Sequence, residues 1–234
     1  NSDRLFSVGN GTSSSARSNA LTIYKDGKMN INDAYDMPLA DGTAGQVLTT
    51  DGAGMTSWAS SSTGLEQVTE GGNTGRRLAG VDTANYGNIG DNAVDLSYSG
   101  IQSDTLGATG INSVAMGQNT TASGGVSTAM GRNTNASGYV STAMGQATTA
   151  SGLYSTAMGG YTTASGFNST AMGSGTTASG VMSTAMGDFT QASGEYSTAM
   201  GGSTTASGSN STAMGFFTTA SGSNSTAMGG NTTA

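Results

Sequence analysis

The chain has no cysteine and no histidine, and contains a single proline, Pro38, and a single tryptophan, Trp58. Without thiols or imidazoles it supports no disulfide, no Cys/His zinc site and no histidine-based catalytic triad. Basic residues are scarce as well. Seven Lys and Arg against fourteen Asp and Glu give a formal net charge of −7, so no electrostatic footprint exists for nucleic acid or an anionic membrane surface. No run of 18 apolar residues is present, and no signal peptide opens the chain. Only 34% of the 234 residues are hydrophobic and 39 are glycine, which argues against an ordinary mixed globular core. A start at Asn1 and a stop in mid-repeat at Ala234 read as a fragment of a longer protein.

What is present divides near residue 110. Twelve of the fourteen acidic residues and six of the seven basic ones precede it, leaving only Arg132, Asp188 and Glu195 beyond. Residues 1–62 contain two alternating apolar and polar stretches, one on either side of Lys25-Asp26-Gly27-Lys28 and one around Asp51-Gly52-Ala53-Gly54. Asp-Gly supplies the positive φ of tight hairpin turns, so this region is expected to be β-hairpin-rich. Residues 63–110 show short strand-like runs cut by Gly and Asn, as in an irregular β connector.

Residues 111–234 are periodic. From Ala115 an alanine recurs every seven residues, and from Gly117 a glycine does the same, but the residue between them alternates between Met and Ser. The unit is therefore fourteen residues, roughly S-T-A-M-G-x-x-T-T-A-S-G-x-x, the signature of stacked repeats. A coiled coil fails because Ala and Met are adjacent and each heptad carries a helix-weakening Gly. Collagen fails because Gly is not every third residue. A two-stranded coil fits, each half being one short strand and one bend, with Gly at every bend for the backbone conformation its missing Cβ permits. Alternation sets Ser127 and Ala129 on one face and Thr128 and Met130 on the other, while Thr134 and Ala136 share a face in the next half. The face holding Ala in both halves is expected to be a narrow interior, with Ser and Thr hydroxyls near the corners.

Nine methionines (Met116, Met130, Met144, Met158, Met172, Met186, Met200, Met214 and Met228) fall at one position of the coil. Stacking would align them in a column, which is either covered by other copies of the chain or buried as filler inside a wider solenoid. Full burial of the column would contribute on the order of 15–25 kcal/mol as an upper bound.

The run NSVAMG at 112–117, followed by TTASG and STAMG, closely resembles the head repeat of YadA-like trimeric autotransporter adhesins. The resemblance spans residues 111–234. It implies an all-β, left-handed parallel β-roll, packed as a homotrimer about one axis with the Met column at the interface, and an extracellular role in attachment to surfaces. The family's Ile falls here on the Met column, and its Val on Val114, then on Thr128, Thr142 and Thr156. The opening half, with SVGNGTSSSARSNALTIYKDGKMNI, DGTAGQVLTTDGAG and LEQVTEGGNTGRRL, resembles more distantly modules of bacterial surface fibres and tail-fibre-like proteins. A structural, adhesive fibre segment is the expected function. The alternatives are a receptor-binding tail fibre of a phage or injection apparatus, and ice binding through the Thr/Ser face.

No enzyme constellation is found, and no cofactor or metal is implied. Asp33 and Asp36 sit in turn-like sequence without a calcium-loop pattern. GNG and GGNTG lack the following helix and Lys-Ser/Thr of a phosphate loop. The variable pairs after each Gly carry all eight aromatics of the repeat. After the Ser-Gly bend, Tyr139, Val140, Leu153, Tyr154, Phe167, Val181, Met182 and Tyr196 would stack into an apolar ridge. That ridge either contacts a ligand, such as a receptor, glycan or matrix protein, or covers the neighbouring subunit's edge.

Overall fold

A computed structural model describes residues 3–10, 18–40, 42–43, 46–60 and 64–234. The described residues are β-strands joined by turns, with one short 3-10 turn at Thr83–Asn85 and no α-helix. The chain divides into Asn1–Thr63 and Gly64–Ala234.

In the first unit, β1 (Arg4–Gly9), β2 (Asn19–Tyr24), β3 (Met29–Ile31) and β4 (Tyr35–Asp36) form an antiparallel sheet in chain order. The β2–β3 turn is the Lys25 to Lys28 segment, where Gly27 takes φ +88° and its N–H donates to the Tyr24 carbonyl at 3.0 Å. A separate hairpin pairs β5 (Gln46–Thr50) with β6 (Thr56–Ser60) across Asp51 to Gly54. The Trp58 ring lies against Gly42, and its Nε1 donates to the Ala40 carbonyl at 2.7 Å. Both Asp-Gly hairpins are thus where the turn chemistry puts them.

The second unit opens with the hairpin of β7 (Leu65–Glu70) and β8 (Asn73–Leu78), turned by Gly71 and Gly72 at positive φ. β8 then pairs in parallel with β9 (Val94–Tyr98). From there the chain winds as a parallel β-solenoid, twenty residues separating paired positions of the first coil and fourteen those of every later one. Two-residue strands, beginning with β10 (Gly107–Ala108), build one nine-stranded sheet. Five-residue strands, beginning with β9 and β11 (Val114–Gln118), build the other. Register is unbroken: Ala115 pairs with Ala129, Ala129 with Ala143, and so on to Ala227. An exact fourteen-residue repeat requires this, since any slip would turn the apolar set to the opposite face.

Alternation correctly assigns the interior. Both alanine columns are buried, and so are the Ser and Thr that share their faces, such as Ser127 and Thr134. Methyl-sized side chains let the two sheets close on each other, which is why an interior this thin can still exclude water. Ser155 Oγ and Ser197 Oγ donate to the carbonyls of Gly152 and Gly194 at 2.7 and 2.6 Å, but most hydroxyls of these columns, Ser127 and Thr134 among them, are buried without a hydrogen-bond partner, so the pairing expected at the corners is the exception.

The glycines have two separate reasons. Those after Met, such as Gly131 and Gly145, lie at φ +122°, where side chains are strained. Those after Ser, such as Gly138 and Gly152, do not have positive φ, so the bend conformation expected at every Gly does not explain them. There, as also at the glycines after Met, a Cβ would sit 2.0 Å from the carbonyl oxygen of the next glycine in the column. Coil spacing itself excludes any side chain.

The solenoid starts before the repeat letters do. β9 pairs in full register with β11, placing Asp95 in the alanine column beside Ala115 and Leu96 in the methionine column beside Met116. Asp95 is buried, and Arg77, equally buried, meets it with Nε 3.4 Å from Oδ2. Arg77 also pairs with Glu70 at 2.8 Å, donates to the Gly87 carbonyl at 2.9 Å and lies 5.0 Å from the Tyr86 ring centroid. Asp95 Oδ1 accepts from the N–H and hydroxyl of Ser97. The Tyr86 hydroxyl accepts from Ser99 N–H and donates to the Ser97 carbonyl, and burial pushes its pKa up. With Ile89 and Ala93 also buried, this polar network closes the end of the alanine interior and serves as the terminal cap a solenoid needs.

Candidate interaction surfaces

The methionines form one ladder, each in register with the next from Met116 to Met228. In the single chain they are half-buried to exposed, Met228 reaching 55%. Leu96 extends the same column by one coil. It had no repeat motif to announce it, only the alternation of Val94, Leu96 and Tyr98.

Of the two corners, the one after Ser-Gly carries the ridge. Tyr139, Val140, Leu153, Tyr154, Phe167, Val181, Met182 and Tyr196 are all exposed there. They are tied by backbone hydrogen bonds from coil to coil, as from Tyr154 N–H to the Tyr139 carbonyl and from Tyr196 N–H to that of Val181. Rings meet edge to face: Tyr139 and Tyr154 have centroids 6.2 Å apart, Tyr154 and Phe167 5.8 Å. Ile111 and Val126 lengthen this corner, the Val126 N–H donating to the Ile111 carbonyl at 2.8 Å. Their positions in the repeat were the signal that could have found them.

The second residue of every variable pair takes a left-handed conformation. Val126, Val140, Tyr154, Met182 and Tyr196 have φ between 54° and 58°, as do Asn112 and Asn224 in the same column. Asn tolerates this region, whereas a β-branched or bulky residue pays roughly 1–2 kcal/mol for it. The variable pairs are therefore not conformationally free. The recurrence of Asn at the second place was the legible sign.

These coils, two corners and two sheets per fourteen residues, match the YadA head domain repeat over residues 108–134, 136–162 and 164–190, and in overlapping units from 178 to 232. The chain belongs to the YadA head repeat family. No match was found among curated proteins. Membership makes the roll a structural adhesin module. Among the described residues no cluster of acidic side chains could hold a metal ion, and no helix is long and apolar enough to cross a membrane.

Proposed function

We propose that this chain is the head and neck-proximal part of a homotrimeric surface fibre that attaches its bearer to another surface. Membership in the YadA head family supports a surface-exposed, adhesive role. The trimer reading rests on the methionine ladder, since a soluble single chain does not leave a column of nine thioethers wet. Packing three copies along that ladder would remove it from water.

The observation that carries the contact role is the edge-to-face chain of Tyr139, Tyr154 and Phe167 on an exposed corner. Aromatic side chains provide large rigid contact area, and anchors of this kind dominate interfaces. Three copies of the ridge around one axis convert weak single contacts into firm attachment. The test is attachment of wild type and of a variant with Tyr139, Tyr154, Phe167 and Tyr196 changed to Ser, on a panel of immobilised glycans and matrix proteins. The variant is expected to sediment as a trimer and lose most attachment. Unchanged attachment, or loss of the trimer, overturns the assignment of the ridge.

A further inference from the structure

The corner after Met-Gly has its own pattern. Tyr161, Gly175, Phe189, Ser203 and Phe217 occupy successive coils at the same place of the pair, all joined by the same ladder of backbone hydrogen bonds to the preceding coil. Aromatics thus alternate with Gly or Ser. Tyr161 and Phe189 are each 66% exposed and Phe217 is 53% exposed. All three have φ between 52° and 55°, in a column where Asn133, Gly175 and Asn231 adopt the same conformation without strain. Within the single chain their contacts are few: the Tyr161 hydroxyl accepts from Gln146 Nε2 at 3.4 Å, the Phe189 ring lies over Gly175, and Phe217 meets Phe216 edge to face with centroids 4.3 Å apart. Strain kept at exposed aromatics points to a role outside the fold.

Spacing identifies the kind of partner. Neighbouring coils are about 4.8 Å apart, so rings on every second coil stand about 9.6 Å apart. An extended β-1,4-linked glycan turns alternate sugars over, and so presents the same pyranose face every second residue at nearly this spacing. Its axial C–H faces suit Tyr and Phe rings, and the missing side chain of Gly175 lets the Phe189 ring lie down over the preceding coil. Exposed Ser174, in the coil between Tyr161 and Phe189, and exposed Asp188, next to Phe189, offer hydroxyl and carboxylate groups to sugar hydroxyls. Asp188 is the only charged residue between Tyr161 and Phe217 apart from Glu195, which belongs to the other corner. With no cation and one carboxylate on the row, polyanions such as uronate or sulfated chains are disfavoured.

We propose that the row of Tyr161, Phe189 and Phe217 is a binding track for an unbranched, neutral β-1,4-linked glycan, separate from the Tyr139 to Tyr196 ridge. It holds whether or not that ridge contributes to adhesion.

The experiment is titration of the full chain with cellohexaose and chitohexaose, with α-linked maltohexaose as the control of different geometry. Wild type is expected to bind at least one β-linked hexasaccharide and to bind maltohexaose at least tenfold more weakly. A variant with Tyr161→Asn, Phe189→Asn and Phe217→Asn should keep the wild-type sedimentation coefficient, melt no lower, and lose at least tenfold in affinity. The Tyr139, Tyr154, Phe167 and Tyr196 to Ser variant should bind the hexasaccharide as wild type does, which separates this track from the ridge. The proposal is overturned by absence of binding to both β-linked probes, by equal binding of maltohexaose, by binding retained in the Asn variant, or by a change in its oligomeric state, which would make the row subunit packing.

Discussion

The carboxylate of Asp95 stands where every later coil places an alanine, and its Oδ2 lies 3.4 Å from the Nε of Arg77, both side chains being buried. A polar pair thus ends an interior otherwise lined with methyls and hydroxyls. Two charges out of water tolerate each other far better than either tolerates solitude. Arg77→Leu is expected to destabilise the second unit by about 3–5 kcal/mol, because it leaves Asp95 buried without its cation, and Asp95→Ala by less, because Arg77 keeps its pair with Glu70. The double variant should recover part of that loss. Chemical denaturation of the three variants checks this, and a double variant worse than the sum of the singles would refute the pairing.

The interior should tolerate no enlargement. Ala157→Leu adds volume between sheets that close on methyl groups, and overpacking is expected to cost about 1–3 kcal/mol or more. Gly152→Ala tests the coil spacing separately, since its Cβ would meet the Gly166 carbonyl oxygen at 2.0 Å. Thermal melts at or above the wild-type midpoint for either variant would contradict the narrow roll.

At the corners the opposite trend is expected. Val126 and Val140 hold φ of 57° and 54° with β-branched side chains. Replacing either by Asn should raise stability by about 1–2 kcal/mol, because Asn enters the left-handed region at little cost. The reverse change, Asn168→Val, should lower it. Equilibrium unfolding of the three single variants reads the sign directly.

The methionine ladder is expected to hold the assembly. Met158→Asp with Met172→Asp would place unpaired charges in a buried seam, costing several kcal/mol per site and dissociating the oligomer. Ser165→Asp with Ser179→Asp, on exposed positions of the other sheet, should leave assembly intact. Sedimentation distinguishes the outcomes, and a folded wild-type monomer would dismiss the trimer.

In the first unit, acid should loosen what neutral pH leaves alone. Hydrogen bonds from the backbone N–H of Asn19 hold Asp33 below its ordinary pKa. The Asn30 amide, with the Lys28 ammonium after it, does so for Asp36, and the N–H groups of Ala53 and Met55 for Asp51. Carboxylates depressed in the folded state stabilise it above their ordinary value of 3.8 and lose that contribution as pH falls through the lowered values. Trp58, the only tryptophan, lies in this unit and reports on it. Its fluorescence should stay constant across neutral pH, since the chain has no histidine, and change below pH 3.8. An unchanged signal down to about pH 2 would show that these hydrogen bonds do not stabilise the unit.

Much of the roll was readable from residues 111–234 alone. A strict fourteen-residue period makes every coil equivalent, and the two-residue alternation of strands then assigns Ala129 and Ala136 inward and Met130 outward with no further information. The hairpins at Asp26-Gly27 and Asp51-Gly52 were equally legible, because positive φ in a tight turn is a local demand met by a local residue. What only the tertiary structure decided depends on atoms far away in the chain. Gly138 is required by a carbonyl fourteen residues later, not by its own backbone angles. Asp95 could be recognised as interior only once β9 was seen to continue the sheet, and Arg77, eighteen residues earlier, was placed against it by the cost of burying either charge alone. Local pattern determines which face a side chain takes, whereas close approach between coils and the pairing of buried charges exist only after the chain has folded back on itself.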